Sequence, residues 1–241
     1  MDINQKMKIY NSESQISTNI HRLTLAPKTQ FEFNQFLIID EKTCLIHTGK
    51  VCFFDQLLEL VKNKLKGRSI DFIVFSHVEA DESGSVNHWL KEYPNAKVVC
   101  NKVANINLED FLLRPAQILN DGEHLILGQK SLRLINTPHF PHNWDAHMWY
   151  EVSEQMLFSS DFCCQGGICE PITETDISDS IIEFYVKGGF IPYGKSSNNA
   201  LDKIATLPLN AIVPMHGSAI VGRQLCQTIF NKVKDDLVSR S

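Results

Sequence analysis

The segment His77-Val-Glu79-Ala-Asp81 constrains this chain more than any other. It sets three potential metal ligands at alternate positions, directly after the apolar run Ile70-Asp-Phe-Ile-Val-Phe-Ser76. The stretch from Ile70 to Phe75 has the continuous apolar character of a strand covered on both faces. The polar cluster therefore stands where backbone leaves the core and a metal can enter. Imidazole beside two carboxylates offers mixed nitrogen and oxygen ligation, which suits iron, zinc or manganese and supplies no soft sulfur.

Composition excludes several classes. With 241 residues, 43% hydrophobic and 21% charged, the chain has the balance of a soluble globular protein with a sizeable core. No stretch approaches the roughly 20 apolar residues of a spanning helix, and the start Met1-Asp-Ile-Asn-Gln-Lys has no secretory apolar core. A cytoplasmic location with no membrane contact is expected. Net charge of −5 supplies no basic field for nucleic acid. The 7 cysteines, odd in number and mostly within apolar runs, read as reduced thiols.

Periodicity predicts strands at His21–Leu25, Phe33–Ile39 and Thr43–His47. A helix follows, with Phe54, Leu57, Leu58, Val61 and Leu65 on one face and Gly67 as its stop. The order strand, loop at 77–84, helix at Val86–Tyr93, strand at Lys97–Cys100 is a parallel unit with short connections. The middle, with the Asp121-Gly122 turn and strands at Leu125–Leu127, Leu132–Ile135, His147–Val152 and Met156–Phe158, reads as antiparallel sheet. Helices are expected at Ile177–Val186, Asn199–Thr206 and through Leu225, Ile229, Val233 and Leu237, with a strand at Ala211–Val213. One domain over 1–241, made of two packed αβ halves with frayed ends at 1–18 and 238–241, fits this order.

Four segments carry His or carboxylate just after a strand: His77 to Glu82, His139 to Asp145, Asp161 and His216. A lone His or Asp in such a place is usually a structural residue or a turn former. Four together imply a site.

The residues His77-x-Glu79-x-Asp81, His142-Asn-Trp-Asp145, Leu157-Phe-Ser-Ser-Asp161 and Pro214-Met-His216-Gly217 resemble the metallo-β-lactamase-like diiron domain of flavodiiron proteins and of stand-alone oxygen-binding diiron proteins. The resemblance covers nearly the whole chain and implies a four-layer αββα sandwich. It implies two irons, with His77, Glu79 and His142 on one, Asp81 and His216 on the other, and Asp161 bridging. It also implies binding of dioxygen, or of nitric oxide, by a sensor or by a reductase half fed by a separate electron-donor protein, and a homodimer. No flavodoxin-like segment, and hence no flavin, is expected within this chain.

Two departures stand out. Glu82 replaces the family's His after Asp81, so it either adds an anionic ligand or turns away and leaves that metal open. Near Pro138 the family has His three residues on, whereas here His139 and His142 lie one and four residues on. Spacing to Asp145 and Tyr150 favours His142, with His139 the alternative or a supporting donor. Asp145 is expected to orient a ligand histidine or cap a turn. Tyr193, Trp144 and Cys163 are candidates for the site wall, against the ordinary reading of such aromatics as core. The rival functions are a dizinc hydrolase acting on an ester, thioester or lactone, which Glu79 disfavours because it takes the place of a third histidine, and a redox-inert binding module, for which Glu82 is the sole support.

Overall fold

The computed structural model describes residues 9–27 and 31–241. Its first sheet runs in chain order through β1 (Ile9–Ser17), β2 (Ile20–Pro27), β3 (Phe33–Ile39), β4 (Thr43–Ile46), β5 (Phe72–Val74), β6 (Lys97–Cys100) and β7 (Gln117–Ile118). Strands β1 to β4 are antiparallel neighbours, and β4 to β7 are parallel. Parallel pairing needs crossovers. These are α1 (Phe54–Leu65), α2 (Val86–Glu92) and α3 (Lys102–Leu108). Helix α1 stops where Lys66 (φ 49°) and Gly67 (φ 91°) turn left-handed, as a helix C-terminus commonly does.

The second sheet begins as an antiparallel meander of β8 (His124–Ile126), β9 (Ser131–Asn136), β10 (His147–Glu151) and β11 (Met156–Ser160). It continues with β13 (Ala211–Pro214) parallel to β11, then β14 (Ala219–Val221) and the short β12 (Ile172–Thr173) at the edge. Helices α4 (Ser178–Gly188), α5 (Lys195–Ala205) and α6 (Arg223–Ser239) complete this half.

Three apolar cores define four layers. Leu37, Leu45, Ile73 and Val98 face α1 and α2, while their neighbours Phe36, Ile46, Val74 and Val99 face the other sheet. Likewise Met148, Leu157 and Ile212 face α4 to α6, and Trp149, Phe158 and Val213 point into the space between the sheets. Side chains alternate along a strand, so a strand buried on both faces must be apolar throughout. This is the reason for the unbroken runs in the sequence, and the αββα expectation is met.

The expected fraying at the N-terminus does not extend to residues 9–17, which pair with β2 from Ile9↔Pro27 to Ser17↔Ile20. Residues 1–8 lie outside the described part. At the other end α6 continues to Ser239, and the Ser241 hydroxyl accepts from the Gly194 amide at 3.1 Å, so that terminus is tied down as well. No helix among the described residues is long and apolar enough to cross a membrane.

At one end of the sandwich the sheets are joined directly. The Asn34 amide donates to the Met215 carbonyl (2.8 Å), the His147 amide to Ser76 (2.8 Å), and the Trp149 indole to Phe75 (2.9 Å). The loops after β5, β9, β11 and β13 emerge at this end.

Candidate metal centre

Each of these loops delivers one part of the site. After β5 the chain turns tightly through 77–85, with the Glu82 and Ser83 amides both donating to the Glu79 carbonyl (3.2 and 2.8 Å). Gly84 is required there, since a Cβ at that position would stand 2.2 Å from the Ala80 carbonyl oxygen. The loop between β9 and β10 carries His142, Asp161 follows β11 directly, and His216 follows β13.

These segments converge. One potential ligand atom from each of His77, Glu79, His142 and Asp161 lies within 4.8 Å of the others. The His77 Nε2 is 2.6 Å from Glu79 Oε2, and the His142 Nε2 is 2.8 Å from Asp161 Oδ2. The other Asp161 oxygen, Oδ1, lies 3.2 Å from His216 Nε2, which is 3.6 Å from Asp81 Oδ2. Asp161 thus turns one oxygen toward each of two clusters. All six residues for which a ligand role was expected meet here.

The three rings present Nε2 inward because Nδ1 is engaged behind them. The His216 Nδ1 donates to the Glu32 carbonyl (2.7 Å), His77 Nδ1 faces Ser160 Oγ (3.1 Å), and His142 Nδ1 faces Asn143 Oδ1 (3.2 Å). A ring whose outer nitrogen donates offers its inner lone pair to a metal. Burial opposes charging these rings, yet the carboxylates around them raise the affinity of all three for a proton; for His142 and His216 the main attraction is Asp161. Burial pushes the Asp81 carboxyl up to about 6, with His216 pulling down and Asp161, Glu82 and Glu79 adding repulsion. So much crowded charge calls for a cation. The donor set fits one: the buried Asp81 Oδ1 has no hydrogen-bond partner, and imidazole with hard oxygen suits iron.

Residues 31–217 match the family described as ODP family beta lactamase. The chain belongs to that family. It is 30% identical to the coenzyme F420H(2) oxidase of Methanothermobacter marburgensis, over 83% of this chain and 52% of that protein. It is 25% identical to the anaerobic nitric oxide reductase flavorubredoxin of Vibrio vulnificus, over 77% of this chain and 39% of that one. Among solved structures, the rubredoxin oxygen:oxidoreductase of Desulfovibrio gigas superposes with a TM-score of 0.79 at 20% identity, covering 93% of this chain and 61% of that one. This last likeness shows the fold, a flavodiiron-type metallo-β-lactamase-like core. The chain spans between 33% and 52% of the length of the first curated relatives it matches.

In this ODP-family chain Glu82 turns away from the convergence. It is fully buried behind His77, accepting from the Ser76 and His77 amides (2.8 Å each) and from the Ser160 hydroxyl (2.6 Å). His139 is exposed at φ 66° and lines an outer groove with Asp202 and Lys203, so of the two histidines only His142 reaches the cluster. Asp145 does not orient a histidine ring with its carboxylate. It instead accepts from the Val78 amide at 2.7 Å, fixing the loop between His77 and Glu79.

The cavity wall is built from residues other than Tyr193, Trp144 and Cys163. The cavity over the site, about 350 Å³, is lined by Phe31, Phe33, Phe184, Phe190 and Lys50 together with the cluster residues. Trp144 faces outward, 53% exposed, beside Lys102 and Pro138, and Tyr193 is exposed ahead of α5. Cys163 packs into the core beneath α4 to α6, while Cys164 is the thiol that approaches Asp161 Oδ1, at 3.8 Å. Burial pushes both thiols well up, so neither is a thiolate. Sequence reasoning missed Phe31, Phe184 and Phe190, which come from distant segments and carry no local signal.

Proposed function

We propose that this chain is a non-haem diiron protein that binds a small diatomic oxidant, dioxygen or nitric oxide. The observation that carries the reading is the division of Asp161, with Oδ2 2.8 Å from His142 and Oδ1 3.2 Å from His216. His77, Glu79 and His142 would hold one iron, Asp81 and His216 the other, and Asp161 both. Iron held there would supply reversible one-electron chemistry to a bound diatomic molecule.

The chain's own residues do the rest. Ser160, Asn143 and the Glu32 carbonyl hold the three rings by Nδ1, so their Nε2 atoms stay aimed inward. The carboxylates of Glu79, Asp81 and Asp161 balance cationic charge. Phe31, Phe33, Phe184 and Phe190 form an apolar mouth that admits a small uncharged molecule and discourages water. The names of the relatives, an F420H(2) oxidase, a nitric oxide reductase and an oxygen:oxidoreductase, support redox work over hydrolysis. Electrons for turnover would come from a separate protein; without one, each binding event serves as a signal.

The test is anaerobic purification, iron and zinc analysis, and optical spectra before and after air. About two irons per chain and a new visible band on exposure to air are expected. Two zincs, or iron spectrally silent to air, would replace this reading with a hydrolase and call for an ester and thioester screen.

A further inference from the structure

We propose that Glu82 is a positioning residue for the first iron position, that of His77, Glu79 and His142, and not a ligand of the second. The inference rests on the diiron reading above and deepens it. Both oxygens of the buried Glu82 carboxylate are already committed. Oε2 accepts the amides of Ser76 and His77 and stands 3.3 Å from the His77 Nδ1; Oε1 accepts the Ser160 hydroxyl and stands 3.4 Å from the His47 Nε2. The backbone of Glu82 is fixed as well, its carbonyl accepting from the Thr48 amide (2.6 Å) and hydroxyl (3.0 Å). Among the described residues, no hydrogen bond or ion pair joins Glu82 to His216 or Asp81.

Two consequences follow. A carboxylate set behind a ligand ring holds its orientation and makes its inner nitrogen a stronger donor, and loss of such a partner commonly costs about 10–100-fold in metal affinity. Ser160 extends this support, because its hydroxyl lies between Glu82 Oε1 (2.6 Å) and His77 Nδ1 (3.1 Å). The second position is left with Asp81, His216 and its share of Asp161, against four side chains at the first. The two positions therefore differ in retention, and the second exchanges its metal more readily.

The experiment reconstitutes the full chain anaerobically with ferrous iron and, separately, with cobalt(II). Metal per chain is then counted through a graded chelator challenge. The wild type should release metal in two phases at least about tenfold apart in affinity. Glu82→Gln, which keeps the shape and the amide acceptor, should weaken the tight phase about tenfold and leave the weak phase in place. Ser160→Ala should move the tight phase in the same direction by less, which guards against Glu82→Gln failing to fold. His216→Ala should remove the weak phase alone. A single phase of two equally held metals, or selective loss of the weak phase in Glu82→Gln, would overturn the inference and leave the diiron reading standing. A wild type that takes up no metal would overturn the diiron reading itself.

Discussion

The two halves of the site are built on different principles. The first takes His77 and Glu79 from the loop that leaves β5, which is braced from behind by Glu82 and Asp145, and His142 from the loop between β9 and β10. Its rings are close, His77 meeting His142 edge to face with centroids 4.5 Å apart. The second pairs Asp81 of that same loop with His216, whose loop after β13 is held by groups of the first sheet. The His216 ring lies 4.1 Å from Phe31 and donates to the Glu32 carbonyl, and the Gly217 carbonyl beside it accepts from Arg22 (3.0 Å) and Asn34 (2.9 Å) of the opposite sheet. Both positions thus draw on both sheets, but the bonds that brace the first cluster around the β5 loop, whereas those that hold His216 run from β2 and β3 across to the loop after β13. Disturbing the docking should therefore be felt at the second position first.

Asp161 is the one residue the two halves share, so it gives the largest effect. Asp161→Ala removes an oxygen from each cluster and leaves His142 and His216 facing a gap. Metal per chain is expected to fall from about two to near zero, with affinity at both positions down by more than about 100-fold, since a clamp between two cations is lost. Metal analysis after gel filtration reads it directly. If one metal remained at wild-type affinity, Asp161 would belong to a single position and the bridging reading would fail.

A smaller effect separates the histidines at the rim from those behind it. His77, His142 and His216 bind a proton more tightly in the folded metal-free chain than in the unfolded one. Their contribution is present below about pH 6.5 and is lost as pH rises through their raised values. His47 and His147 behave oppositely. Burial favours their neutral rings, His147 titrating at about 4, so their contribution is present above about 6.5 and lost as pH falls. For His147 that loss amounts to about 3 kcal/mol at 1.36 kcal/mol per pH unit. Unfolding free energies by denaturant should therefore decline on both sides of neutrality for chelated protein. With metal bound at the rim the alkaline decline should vanish, because protons there have been replaced, while the acid decline persists. An alkaline decline unchanged by metal would place the metal elsewhere.

How much of this was legible in sequence depends on which forces fixed each part. The apolar run before His77, the helical spacing from Leu57 to Leu65 and the 125–158 meander carry their own periodicity and were readable. Strand β1 was not: Asn11 to Gln15 has no apolar face, and pairing with β2 alone makes it a strand. The short α3 left only the trace of Asn101, whose side chain accepts from the Ala104 amide (2.7 Å) as an N-cap does. The exchange of Cys163 for Cys164 at the site has a local cause. Ser160 (φ 55°) and Cys163 (φ 66°) are left-handed, which breaks the strand alternation that would otherwise predict facing. The committed geometry of Glu82 also lay beyond sequence, since its partners Ser160 and His47 come from other strands' ends.

The smallest effect tests the docking argument most directly. Asn34 is fully buried; its amide group donates to the Pro214 carbonyl (3.2 Å) and the Gly217 carbonyl (2.9 Å), and its oxygen accepts from the Thr24 hydroxyl (2.9 Å). Asn34→Ala strands those groups at a cost of about 1–3 kcal/mol of stability. The fold should survive, because the three apolar cores are untouched. The loop carrying His216 should loosen while the loop carrying His77, braced by Glu82 and Asp145, should not. In the chelator challenge the weak phase should therefore shift and the tight phase should hold. Equal weakening of both phases would mean that the two halves respond as one unit and that their separate construction has no consequence for metal retention.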